Sequence, residues 1–271
     1  MFHSIGFIGT GTMGSALARA AYKGAPEGTT IYLANRTRAK SEALSAQLPG
    51  TVVATNEEVC QTCDLIFLAV KPQRMDNVLG SLSRVLAQRR DRFVLAFMAA
   101  GLSMETIQRL AGHPYPVIRL MPNIPVAVGA GVIQYCGQDT TKEELQDFET
   151  LLQPAGLVDR INENLSDAAL SLSGCGPAYC ALLIEALADG AVACGLPREK
   201  ASRYAVQMVE GAAQLMKDTG IHPGVMKDDV CSPGGTTIRG IRILEQKGFR
   251  AAAMDAVIAA YERTVELGNA K

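Results

Sequence analysis

The chain has 271 residues, 48% of them hydrophobic and 20% charged, with a formal net charge of −1. That length suits one large domain or two smaller ones. The near-neutral balance excludes a global attraction to nucleic acid or to an anionic membrane surface, so any anion site must be built locally.

Seven scattered cysteines fit a reducing compartment better than a disulfide framework, and a cytoplasmic location is expected. Met1-Phe2-His3-Ser4 has neither the basic start nor the apolar stretch of a secretory signal. No run reaches the roughly 18 uncharged apolar residues of a membrane span. The nearest, Ala178–Leu196, carries Glu185 and Asp189 and reads as a buried helix. Cys60-Gln61-Thr62-Cys63 lacks a second pair, and His3, His113 and His222 are isolated. No metal site is expected.

In chain order, short apolar runs at Ser4–Gly9, Thr30–Ala34, Thr51–Ala54, Leu65–Val70, Phe93–Ala96 and Val117–Leu120 read as strands. Helical stretches separate them: Thr12–Tyr22, Arg38–Gln47, Gln73–Ala87 and Met104–Ala111. This alternation predicts a parallel sheet covered on both faces. Two more strands, near Gly131–Cys136 and Gly156–Ile161, flank a helix beginning near Thr141.

After Asn164 the strand signal stops. Ser166 suits an N-cap, and Pro177 suits the first turn of a helix ending near Gly195. Pro197 opens another that closes near Gly220, with Ala201, Tyr204, Ala205, Met208, Val209, Ala212, Leu215 and Met216 at three- and four-residue spacing. The stretch Ala178–Val192 is apolar on nearly all sides, so another subunit is expected to cover part of it.

Gly9, Gly11 and Gly14 form G-x-G-x-x-G between the first strand and first helix, with Thr10, Thr12 and Met13 in the turn. In that context the glycines permit a tight turn, close approach of a pyrophosphate and close helix–strand packing. Where an NAD site would carry an acidic residue about 20 positions on, this chain has Ala34-Asn35-Arg36-Thr37-Arg38. Those groups can hold a 2′-phosphate, so NADPH is expected over NADH, unless the arginines are simply solvated charges. Ala69-Val70-Lys71-Pro72 and Ala99-Ala100-Gly101 end two further strands at the same crevice, where small residues leave room for a flat ring. Lys71 can serve the cofactor or reach solvent. The expected architecture is a Rossmann-type doubly wound α/β domain over residues 1–162 and an all-helical domain over 163–271.

Two elements of the second half are more specific. Ser171-Leu172-Ser173-Gly174-Cys175-Gly176-Pro177-Ala178-Tyr179 heads a long helix, and Lys227-Asp228-Asp229-Val230-Cys231-Ser232-Pro233-Gly234-Gly235-Thr236-Thr237-Ile238 follows later. With Ala69-Val70-Lys71-Pro72 and Met121-Pro122-Asn123, they closely resemble the pyrroline-5-carboxylate reductase family over essentially the whole chain. The chemistry also reads without the family. Gly234-Gly235 turns the chain into a helix whose free N–H groups and positive dipole end suit a small carboxylate. The Thr237 hydroxyl can bond a ring nitrogen, or be an ordinary N-cap.

The resemblance implies hydride transfer from NADPH to the cyclic imine 1-pyrroline-5-carboxylate, giving L-proline, with NADH as a weaker donor. It implies that Thr237 lies against the substrate nitrogen and that Gly234, Gly235 and Thr236 hold the carboxylate. Glu163, at the domain junction, would lie near the substrate and Asn56 near the adenosine. It further implies a homodimer through the helical domain, in some members assembled into decamers. Cys175 stands where the family usually has serine, and Asp229 where members can carry asparagine. Two rivals share the plan. A β-hydroxyacid dehydrogenase would carry a lysine in the first long helix of its second domain, and Pro177–Val192 has none. A non-catalytic NADPH-binding sensor would not need the threonine-bearing helix.

Overall fold

The structure, a computed structural model, describes residues 1–269. It divides into two compact units: Met1–Gly174 with the segment from Tyr261 onward, and Cys175–Ala260.

The first unit follows the alternation of its apolar runs. In order come β1 (Ser4–Ile8), α1 (Thr12–Gly24), β2 (Thr30–Ala34), α2 (Arg38–Ser45), β3 (Val52–Val53) and α3 (Asn56–Thr62). Then follow β4 (Leu65–Leu68), α4 (Pro72–Gln88), β5 (Val94–Phe97), α5 (Met104–Ala111) and β6 (Val117–Pro122). The unit continues with β7 (Gly131–Gln138), α6 (Lys142–Leu152), β8 (Gly156–Arg160) and α7 (Ser166–Ser173). The strands form one sheet in the order β3-β2-β1-β4-β5-β6-β7-β8. Sequence order reverses on either side of β1 and β4, so the crevice for a ligand opens beyond their carboxyl ends.

Two strands depart from the parallel sheet expected. β7 runs antiparallel to β6, with Pro122 opposite Ile133, and β8, parallel to β7, shares its reversed direction. Eight residues join β6 to β7: Asn123, the 3-10 turn Ile124–Val128, Gly129 and Ala130. A parallel return needs a crossover of a dozen residues or more, and the connection is too short for one.

Apolar residues fill both faces. On one, Phe7 stacks on Phe67 at 4.5 Å between centroids, and Phe67 lies 5.9 Å from Phe148. On the other, α4 buries Met75, Leu79, Leu82 and Leu86, spaced for a single helical stripe. α3 was absent from the elements expected, although Thr55 and Glu58 close a reciprocal capping box at its start. Ser166 is not the cap expected. It is buried inside the helical backbone at φ −59°, because the 3-10 turn Glu163–Leu165 already leads the chain into α7.

The second unit holds α8 (Gly176–Ala193), α9 (Arg198–Thr219), α10 (Pro223–Val230), α11 (Thr236–Gln246) and the first part of α12 (Phe249–Asn269). Pro177 lies in the first turn of α8 as expected, and Pro197 caps α9. The unit's buried core consists of Ala188, Ala201 and Ala205, with Ile184, Ala191, Val192 and Leu196 packed against it. Large apolar side chains face outward, including Leu182 at 67% exposure, Met254 at 63% and Met208 at 51%. By length and mean hydropathy of 1.4, the helical stretch Glu163–Ala193 is the one among the described residues that could cross a membrane. It is interrupted where α7 ends at Ser173 and α8 begins at Gly176.

Candidate active site

The glycine turn is built by close approach. Gly9 sits at φ 106°, and its N–H donates to Ala34 O at 2.8 Å. A Cβ at Gly14 would stand 2.1 Å from Gly9 O and 2.9 Å from the Ala69 Cβ, so α1 packs on the β1–β4 edge only with glycine there. Gly11 is the N-cap of α1, with no side-chain cap and nothing within 4 Å of the place a Cβ would take. Thr12 and Met13 follow as the first residues of a helix whose free N–H groups and positive end face that open ground. A pyrophosphate fits this turn.

Asn35, expected at a phosphate, also has a structural task. Its Oδ1 accepts the Thr10 N–H at 3.2 Å and its Nδ2 donates to Thr37 O at 3.0 Å, which ties the glycine turn to the end of β2. The Thr10 hydroxyl, buried, is shared with Ser41 at 3.4 Å. Arg36 and Arg38 are exposed beyond it. They line a cleft of about 240 Å³ together with Asn35, Ser41, Asn56 and Glu57. Asn56 is the first residue of α3, placed there by the Thr55–Glu58 box.

At the other end of the crevice, Ala69 and Val70 are half-buried, while Lys71 is the exposed N-cap of α4 and Pro72 its first residue. Ala99 is fully buried and Ala100 exposed. Glu163 reaches this region from its 3-10 turn. Its Oε1 accepts the Met104 N–H at 2.9 Å and lies 3.5 Å from Arg119 Nη1.

In the helical unit, Gly234 at φ 71° turns the chain and Gly235 is the N-cap of α11. Thr237 is therefore the second residue inside the helix, which removes its alternative as an N-cap. The helix start has no side-chain cap, so its first N–H groups are left free, and the half-buried Thr237 lies in that first turn. Asp229 is exposed on α10.

The cysteines separate by environment. Cys175 and Cys231 are half-buried caps, at the start of α8 and the end of α10. Cys60 and Cys63 are buried, and burial pushes both thiols up to about 12. At pH 8 such a thiol is ionised in only about one molecule in 10⁴, and the thiolate is the reacting species. Iodoacetamide at pH 8 is therefore expected to leave Cys60 and Cys63 unmodified in the folded protein and to label them after denaturation. Peptide mass spectrometry reads this directly, and rapid labelling of either in the native state contradicts it. Among the described residues no group of three metal-binding side chains is assembled.

A doubly wound sheet with a tight glycine turn at its switch point, joined to a helical unit, defines a dinucleotide-dependent oxidoreductase. The family profile described as NADP oxidoreductase coenzyme F420-dependent matches residues 4–99, and that of pyrroline-5-carboxylate reductase dimerisation matches 163–267. The pyrroline-5-carboxylate reductase of Synechocystis is 42% identical over 270 residues, covering 98% of both chains. That of Escherichia coli is 38% identical, over 99% of this chain and all of its own. Among solved structures, the pyrroline carboxylate reductase of Plasmodium falciparum with NADP bound superposes with a TM-score of 0.84 at 29% identity, covering 98% of both chains. The chain belongs to the pyrroline-5-carboxylate reductase family.

Proposed function

We propose that this protein reduces 1-pyrroline-5-carboxylate to L-proline with NADPH, an oxidoreduction at a CH–NH group. The observation that carries the reading is the glycine turn closed tightly on Ala69, with Gly11 open, in a chain matched end to end by reductases of this name. When bound, NADPH supplies the hydride that reaches C5 of the imine. The protein's part is to orient and to provide charge. Gly9 to Gly14 hold the pyrophosphate. Arg36, with Arg38 beside it, takes the 2′-phosphate in the cleft that Asn56 also lines. Ala69, Val70, Lys71 and Pro72, with Ala99 and Ala100, border the nicotinamide end.

The start of α11 binds the substrate carboxylate through the N–H groups that follow Gly234 and Gly235, including that of Thr236. The Thr237 hydroxyl bonds the ring nitrogen and fixes which face of the C=N bond is presented. No dedicated general acid is assigned, because an iminium is already a good hydride acceptor. Glu163 is supported less as a substrate contact than as a partner of Met104 and Arg119. Functionally, residues 1–162 form the dinucleotide-binding part and 163–271 the substrate and dimerisation part. The family match beginning at 163 supports that division, while the compact units part after Gly174. The protein acts as a homodimer in the cytoplasm, with decamers a further state.

The test is NADPH oxidation followed at 340 nm with pyrroline-5-carboxylate, with hydroxyacids run in the oxidative direction using NADP⁺, and with no substrate. Turnover is expected with the imine alone. Thr237→Val is expected to lower kcat/KM for the imine about 10²-fold, the loss of a hydrogen bond that strengthens in the transition state. Affinity for NADPH should not change. Absence of imine turnover, or turnover of hydroxyacids instead, rejects the proposal.

A further inference from the structure

Arg119 is a cation in an otherwise apolar strand. It stands on β6 opposite Phe97, the last residue of β5, and is 5% exposed. Its Nη2 donates to Asp167 Oδ1 on α7 at 2.7 Å, and its Nη1 lies 3.5 Å from Glu163 Oε1. Its Nε is the one buried side-chain polar atom among the described residues without a partner. Buried charge of this kind is a weak source of stability, and an apolar side chain of similar volume serves a sheet interior as well or better. The arrangement is therefore explained by what the charges hold in place.

What they hold is one backbone N–H. The Glu163 oxygen that faces Arg119 also accepts from Met104 N at 2.9 Å. Met104 is the first residue of α5, and its N–H is among those the helix itself leaves unpaired. Two residues on, the Thr106 N–H is taken by Ser103 Oγ at 3.2 Å. The segment from Met98 to Ser103, which contains Ala99 and Ala100, is thus set at one end by the sheet pairing of Phe97. At the other it is set by two acceptors, one of them oriented by a buried guanidinium. We propose that Arg119 and Glu163 are positioning residues: together they fix the β5–α5 loop, and with it the wall of the crevice at the nicotinamide end. The inference rests on the reading that this crevice takes NADPH.

Glu163→Ala removes the acceptor. Glu163→Gln keeps an oxygen for Met104 N–H while losing the charge, and Glu163→Asp keeps the charge but shortens the reach. If the loop is the target, Glu163→Ala and Glu163→Asp should lower kcat on the order of 10- to 100-fold, the scale of a misplacement near 1 Å. Glu163→Gln should stay within about threefold of the wild type, since the hydrogen bond matters more than the ion pair. Adenosine 2′,5′-bisphosphate reads only the far end of the cofactor site, and its affinity should be unchanged in all three.

A wild-type kcat in both Glu163→Ala and Glu163→Asp overturns the proposal. So does Glu163→Gln as impaired as Glu163→Ala, which would give the carboxylate charge a direct role. A parallel loss of bisphosphate affinity overturns it as well, because the damage would then be general. The fluorescence of bound NADPH, which reports the nicotinamide environment, separates this from the function itself. If the wild type reduces no imine, the catalytic reading fails. The positioning role then stands or falls on whether Glu163→Ala alters that fluorescence at unchanged bisphosphate affinity.

Discussion

Gly14→Ala is expected to lose NADPH binding by 100-fold or more and to melt at a lower temperature than the wild type. The added Cβ would stand 2.1 Å from Gly9 O, a backbone atom that the turn itself fixes, and 2.9 Å from the Ala69 Cβ. Neither neighbour can rotate away. The helix must back off β1 and β4, and with it the N–H groups that face the pyrophosphate. Overpacking of this kind costs about 1–3 kcal/mol of stability, and a hundredfold weaker affinity corresponds to about 2.7 kcal/mol.

Gly11→Ala separates the two effects. Its Cβ meets no protein atom within 4 Å and its backbone is extended at φ −75°, so the fold should be untouched. The same methyl group would stand where the pyrophosphate approaches, so affinity should fall about as far. Thermal unfolding and NADPH titration of both variants check this. A Gly14→Ala protein that binds normally, or a Gly11→Ala protein that does so, would show that the turn does not hold a dinucleotide.

These glycines were legible because their spacing and their place after an apolar strand already state a geometry. The strands and helices of the first unit were legible for the same reason: Leu65–Leu68 and Val94–Phe97 are buried along their whole length and can hardly be anything else. The direction of β7 was not, since it depends on how few residues connect it to β6 and not on its own composition. α3 is only seven residues long, and Cys60 within it with Cys63 just past its end reads as readily as a metal-ligand pair as it does as a helix. Its start signal, threonine three residues before glutamate, is nonetheless present in the sequence. Ser166 had the right chemistry for a cap at a place where the backbone was already helical.

The polar partnerships are the part least visible in a chain read by itself. Asn35 sits where a phosphate contact is expected, and its amide also bonds the Thr10 N–H and the Thr37 carbonyl, which nothing in its neighbours along the chain says. Arg119 did leave a mark, as a charge between Ile118 and Leu120 in a run that has to be buried. Such a residue demands carboxylates, but which ones depends on where β8 and α7 return. Removing one of them leaves a buried cation short of a partner, so the Arg119 set ranks among the least tolerant positions in the first unit.

The helical unit is expected to exist only as part of a dimer. Its own buried residues are three alanines, far too little apolar surface to offset the conformational entropy of ordering four helices and part of a fifth. Meanwhile Leu182, Met208, Leu215 and Met254 face outward, and Glu185 and Asp189 are the only charged side chains along α8. A second copy presenting the same faces can cover them, as a two-fold interface is complementary to itself. The wild type should therefore sediment as a dimer or a multiple of dimers. Its melting temperature should rise with protein concentration, because association and folding are one equilibrium. Leu182→Arg combined with Met208→Arg would bury two unpaired cations if the interface formed. The dimer is then expected to be lost and the helical circular dichroism to drop, while the Rossmann unit, with its own large core, keeps its affinity for adenosine 2′,5′-bisphosphate. A wild-type protein that sediments as a monomer at micromolar concentration with a sharp, concentration-independent melt would contradict this account. So would a double variant that remains a dimer.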